Sequence, residues 1–199
     1  GDHHTFGNQV NSKNVHDLDS VQLIDMVRRM RDEGTLLGGE DKIDGAINLF
    51  IGGAANPFGD PFEFRALRTA KKAAAGVDFI QTQCIYDMER FKEWMRMIRD
   101  LGVHEKVHIM AGVTPLKSAG MARYMAKNVS GITIPEAIID RMAKAAKGAD
   151  EGIKLCVEQI QELREIEGVH GIHIMAIEWE QMIAMITEKA GLLPRPRVE

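Results

Sequence analysis

Residues 75–87 read Ala75-Gly76-Val77-Asp78-Phe79-Ile80-Gln81-Thr82-Gln83-Cys84-Ile85-Tyr86-Asp87. Gly76 ends the helical periodicity that precedes it. Residues 77–86 form a short apolar run of strand character, and Asp87 supplies a side-chain acceptor for a following helix. A helix, a strand and a second helix packed into so short a span predict a strand joined to its neighbours by crossovers, and hence a parallel sheet.

The same alternation extends in both directions. Upstream, Leu18, Val21, Ile24, Val27 and Met30 recur at helical spacing over 18–33, and Gly34 stops them. Residues 35–46 read as a connector and 47–54 as a buried strand ending in glycines. Asp60, Pro61 and Glu63 predict a capped helix start. Downstream, Phe91, Trp94, Met95 and Ile98 share one helix face, stopped by Gly102, and 107–114 reads as a strand. Ser118 and Thr133 predict two further helix starts, the second as a capping box with Glu136. A long helix over 150–167, with Ile153, Val157, Ile160 and Leu163 inward, a strand over 171–177 and a helix over 179–190 complete the series. A doubly wound sheet and a (β/α)8 barrel both fit this order. No Gly-x-Gly-x-x-Gly follows a strand, which disfavours the dinucleotide-binding variant.

The 199 residues, 45% hydrophobic and 27% charged, are globular in composition. A net charge of −4 with no dense basic run disfavours nucleic acid as a partner. No apolar stretch approaches the ~20 residues of a membrane span. Two well-separated cysteines give no disulfide framework and suit a reducing compartment, so a cytoplasmic location is expected.

Parallel α/β folds place their chemistry at the carboxyl ends of strands. The polar residues expected there are Asp2, Asn56, Gln81, Gln83, Asp87, Thr114, Lys117 and Glu178. Asp87 is accounted for as a helix cap and Glu178 as a helix-dipole acid. Thr114 and Lys117 are ordinary loop residues on this reading. Gln83 is different, because an amide in an apolar strand must find partners. His3 and His4 are adjacent and diverge, and no Cys/His cluster supports them, so no metal is expected. Cys84 and Cys156 read as small core residues.

These pieces, in this order, resemble the methylenetetrahydrofolate reductase family. The resemblance runs through Gly1-Asp2, Gly52-Gly53-Ala54-Ala55-Asn56-Pro57, Lys72, the quoted segment to Tyr86-Asp87, Ala111-Gly112-Val113-Thr114-Pro115, Ile134-Pro135 and Val169-His170-Gly171-Ile172-His173-Ile174. It implies a (β/α)8 barrel of which this single domain, residues 1–199, carries the second half, from the end of strand 4 through helix 8. The chain begins without methionine, which accords with that expectation.

The implied activity is reduction of 5,10-methylenetetrahydrofolate to 5-methyltetrahydrofolate, with FAD passing hydride from N5. By the same resemblance Asp2 is the catalytic acid beside the flavin, where a fixed carboxylate disfavours the negative charge of the reduced ring. His3, His16, Asp17, Leu18, Ala55, Asn56 and Lys72 join it around FAD. Gln83, Thr114 and Ala119 meet the folate. Ala119, Met175 and Trp179 depart from the aromatic and arginine residues that some members use, which leaves NAD(P)H or a redox partner subunit as the electron donor. An oligomer is expected. The general acid is expected in the other half of the barrel. A flavin-free barrel lyase or synthase and a non-catalytic barrel subunit are the competing classes.

Overall fold

The computed structural model describes residues 11, 13 and 15–194. Its elements follow as α1 (Ser20–Glu33), β1 (Gly52–Ala55), α2 (Phe62–Ala75), β2 (Phe79–Cys84), α3 (Met88–Asp100), β3 (His108–Val113), α4 (Ala119–Asn128), α5 (Glu136–Lys144), α6 (Gly148–Arg164), β4 (Gly171–Ile174) and α7 (Ile183–Lys189). A short 3-10 turn, Glu180–Met182, leads into α7. The four strands are parallel and lie in chain order, β1-β2-β3-β4, with no reversal among them. The fold is α/β with a parallel sheet.

Strand alternation gives the sheet two unlike faces. Ile80, Ile109, Ala111 and Val113 point to one face and pack against α1, α2, α3, α6 and α7 in a single core. Phe91, Trp94, Met95 and Ile98 of α3 are fully buried there, which is the face their spacing predicts. Burying each such side chain stabilises the fold by ~1.5–3 kcal/mol. The other face carries Phe79, Gln81, Gln83, Met110 and His173, all half-buried. A second cluster, from α4, α5 and Leu155 of α6, covers Cys84, Tyr86 and Leu116 at the strand ends.

Asp19 caps α1 with a reciprocal capping box to Gln22. Three other helix signals act as the sequence predicts. Asp87 accepts from the Arg90 N–H at 3.0 Å, and Ser118 accepts from the Met121 N–H at 3.1 Å. Gly76 ends α2 at φ +107°, and Arg28 of α1 packs where its side chain would be, so no other residue suits the position.

Two other starts differ. Pro61 and Pro135 themselves occupy the N-cap positions, with no side-chain cap. Both prolines have extended backbone, with ψ of 133° and 141°, so the helices begin one residue after them and Asp60 and Thr133 fall too early to cap. Asp60 instead pairs with Arg90 at 3.1 Å. The expected strand over 47–54 begins only at Gly52. Upstream of it, Asp78 Oδ2 accepts from the Ile51 N–H at 2.6 Å and from Arg31 at 2.7 Å, and this side chain replaces a ladder. Phe50 stays exposed and stacks on Phe79.

Gly152 of α6 sits directly on the backbone of Leu116, and a methyl group there would overlap the Leu116 carbonyl oxygen. Gly152→Ala is therefore expected to cost at least about 3 kcal/mol, at the upper end for overpacking. Urea unfolding measures it, and an unchanged midpoint contradicts this packing.

A second expectation concerns pH. His170 Nδ1 accepts from the Ile109 N–H at 3.2 Å, and its ring meets His108 edge-on. Burial, then His108 and His104, hold its pKa below the usual 6.5. The folded state thus resists a proton that the unfolded chain accepts, so this stability is full above pH ~6.5 and falls as pH drops towards the folded pKa. His170→Asn keeps an acceptor but cannot titrate. It should flatten the fall in stability between pH 7.5 and 5.5, and an unchanged slope contradicts this account.

Candidate active site at the carboxyl ends of the strands

The central feature is a bulge in β2. Gln81 pairs with Met110 but Cys84 with Gly112, so β2 carries one residue more than β3 across this interval. The Thr82 side chain repairs the ladder. Its hydroxyl accepts from the Gly112 N–H at 2.9 Å and donates to the Gln83 carbonyl at 3.0 Å. The strands approach so closely that a side chain at Gly112 would meet the Thr82 carbonyl oxygen.

Past the bulge, Gln83 Oε1 accepts from the Cys84 N–H at 3.1 Å. Cys84 Sγ lies 3.6 Å from that oxygen and 2.9 Å from Thr114 Oγ1. The Tyr86 hydroxyl donates to the Thr114 carbonyl at 2.8 Å. Gln159 of α6 donates to the Ile85 carbonyl at 3.1 Å, pinning the segment from behind. Cys84, Tyr86, Thr114 and Gln159 are all buried. Burial pushes the Cys84 thiol up, and pushes the Tyr86 phenol well above its usual value, so both stay protonated near neutrality. Cys156, deep in α6, is likewise pushed up to about 12 by burial. The thiols are therefore packing and hydrogen-bonding groups here rather than nucleophiles.

A second group lies beside β1. Lys72 is buried, and its amine donates to the Ala54 carbonyl at 2.5 Å. Burial lowers its pKa first and the nearby Arg68 lowers it further, while Asp19 opposes both. Arg68 reaches Ser20 Oγ at 3.4 Å and has no carboxylate partner among the described residues. The Asp19 carboxylate is already engaged by the first N–H groups of α1. The two cations are thus short of counter-charge. His16 and Asp17 are exposed and Leu18 half-buried just ahead of α1. Asn56 Oδ1 accepts from the Phe58 N–H at 2.9 Å, and its Nδ2 abuts Gly131 in the α4–α5 connection. Ala55 packs its side chain on the core.

The expected site residues therefore divide. Gln83 and Thr114 come together at the end of β2 and β3, but the Thr114 hydroxyl turns inward to Cys84. Lys72, Leu18, Asp17 and His16 belong to the β1 side with Ala55 and Asn56. Ala119 opens α4, half-buried against the second cluster. Asp2 and His3 lie outside the described residues. Lys117 Nζ donates to the Glu178 carbonyl at 3.0 Å and stands 6.0 Å from the Trp179 ring. Sequence reading missed Thr82 and Gln159; the only signal for Gln159 was a polar residue on the inward side of α6.

Two cavities open elsewhere. One of about 540 Å³ lies between the end of α1 and residues 45–50, and one of about 310 Å³ lies between α6 and α7. Neither is lined by the strand-end groups above. The charged residue lining the first is Arg31, which is already paired with Asp32 and Asp78, so the convergent polar groups mark the site better than cavity volume does. Among the described residues no three His, Cys, Asp or Glu side chains are placed to hold a metal ion. No described helix is long and apolar enough to cross a membrane.

Comparison with known proteins gives a consistent result. The chain is 32% identical over 127 residues to methylenetetrahydrofolate reductase 1 of Schizosaccharomyces pombe, covering 61% of this chain and 20% of that protein. It is 32% identical over 130 residues to methylenetetrahydrofolate reductase 2 of Saccharomyces cerevisiae, covering 62% and 21%. The chain thus spans about a fifth of the length of these curated relatives. A solved structure from Clostridium thermocellum, of a protein described as binding two copies of 5-methyl-5,6,7,8-tetrahydrofolic acid, shares the fold. The TM-score is 0.55 at 20% identity, over 72% of this chain and 53% of that one. The sequence model of the family Methylenetetrahydrofolate reductase matches residues 1–191, so the chain belongs to the methylenetetrahydrofolate reductase family.

Proposed function

We propose that the chain is the second half of a (β/α)8 barrel that reduces 5,10-methylenetetrahydrofolate to 5-methyltetrahydrofolate with bound FAD. The observation that carries this reading is the Gln83 carboxamide. It sits at the carboxyl end of β2, on the half-buried face of the sheet, with no acceptor for its two N–H groups among the described residues. A buried-edge amide with free donors suits the polar edge of a pterin. Strands in unbroken chain order, with their helices on one face, suit one arc of a barrel whose interior is the other face. Family membership and the folate described for the structural neighbour support the substrate class.

The β1 side suits FAD. Burial and the neighbouring Arg68 lower the proton affinity of Lys72, and neither cation has a free carboxylate among the described residues, an arrangement that an anionic diphosphate would relieve. His16, Asp17 and Leu18, together with the Ala55 main chain and Asn56, would line the rest; roles for Asp2 and His3, which lie outside the described residues, belong to the same proposal. Bound FAD would supply the hydride chemistry. This chain's residues would bind and orient: Lys72 and Arg68 the anion, Gln83 the pterin, and Ala119 the wall beside it. Thr114 would act from behind through Cys84. An NAD(P)H or redox-subunit donor, an oligomeric state and a cytoplasmic location belong to the same proposal.

The complete protein is expected to be yellow, and anaerobic 5-methyltetrahydrofolate should bleach it. A colourless, folded protein contradicts the reading in favour of a flavin-free barrel enzyme or a non-catalytic subunit. Gln83→Glu removes the free donors and should weaken folate at least tenfold while flavin reduction by its donor changes less than twofold. Equal losses in both half-reactions contradict the placement of Gln83.

A further inference from the structure

We infer that Cys84 is a positioning residue. It fixes the Gln83 carboxamide so that this side chain meets the folate as a hydrogen-bond donor only. The inference rests on the folate reading above and deepens it.

An amide side chain can usually be turned end for end, which exchanges its donor and acceptor. Here the Cys84 backbone N–H decides the matter. It can only donate, and it lies 3.1 Å from Gln83, so the atom it meets must be the oxygen. The thiol reinforces the choice. Cys84 Sγ is 3.6 Å from the same oxygen and 2.9 Å from Thr114 Oγ1. A thiol and a hydroxyl carry one proton each. The arrangement that uses both has Thr114 donating to sulfur and sulfur donating to Gln83 Oε1. Cys84 is 3% exposed and Thr114 1% exposed, so water does not substitute for either partner.

Both ends of this relay are anchored. Tyr86 holds the Thr114 carbonyl and Gln159 holds the Ile85 carbonyl. With its oxygen committed twice, Gln83 has only its two N–H groups to offer. It therefore selects a ligand edge that presents an acceptor, such as the pterin carbonyl oxygen or an unprotonated ring nitrogen. An unrestrained amide would also sample the reversed orientation, which sets oxygen against oxygen.

The test is affinity of the complete, flavin-loaded protein for 5-methyltetrahydrofolate. Cys84→Ala keeps the backbone N–H and removes only the weaker thiol donor, so it should weaken binding about three- to fivefold. Cys84→Ser restores a donor and should bind within about twofold of wild type. In a Gln83→Ala background, Cys84→Ala should bring no further loss. The inference is overturned if Cys84→Ala binds as wild type, if serine loses as much as alanine, or if the loss persists undiminished without Gln83. Should Cys84→Ala not fold, Thr114→Val breaks the relay one bond further back at nearly constant volume, and the same comparisons decide. Wild-type protein that does not bind 5-methyltetrahydrofolate overturns the folate reading itself, a result distinct from wild-type and alanine proteins that bind equally well.

Discussion

One side-chain hydroxyl governs the carboxyl end of the sheet. Thr82 occupies the place of a backbone carbonyl in the β2–β3 ladder, accepting from Gly112 and donating to the Gln83 carbonyl. Without that substitution the extra residue in β2 would leave a buried N–H unpaired, at a cost of ~1–3 kcal/mol. With it, the bulge is a stable device that turns the strand just where its side chains reach the mouth of the sheet. Every polar contact of Gln83 and Cys84 follows from that turn.

The energies that hold the fold and those that aim the site are of different kinds. Fully buried Phe91, Trp94, Ile98, Ile109 and Ile160 supply non-directional stabilisation, each ~1.5–3 kcal/mol, and fix the helices to one face. That term is indifferent to where an amide points. Direction comes from smaller and more specific contacts: the Gly152 backbone approach that brings α6 onto Leu116, and the Gln159 and Tyr86 hydrogen bonds to main-chain carbonyls. Each of those hydrogen bonds is worth about 1 kcal/mol in stability, yet together these contacts determine what the strand ends can recognise.

The element order was legible in the sequence because its signals are local. Gly76, Asp87, Ser118 and the apolar face of α3 act within one or two turns, and the structure follows them. The exceptions arise where a distant residue decides. Asp78 takes the Ile51 N–H just ahead of β1, and prolines displaced two expected caps. At the site, Gln83 was visible as an amide out of place in an apolar strand. Its orientation was not, because it depends on Cys84 and on Thr114, 30 positions beyond Cys84. Gln159 was hidden for the same reason, acting across 74 positions. Glycine inside a helix costs ~1 kcal/mol relative to alanine. Gly152 was therefore a readable clue to close backbone packing, though not to its partner.

The account stands or falls on what Gln83 does with its free donors. A crystal structure of the complete flavoprotein with 5-methyltetrahydrofolate tests it directly. The account predicts the pterin at the carboxyl end of β2, a ring acceptor within about 3 Å of Gln83 Nε2, and Gln83 Oε1 still on the Cys84 N–H. A pterin bound away from β2, or a Gln83 turned to present its oxygen to the ligand, would contradict it.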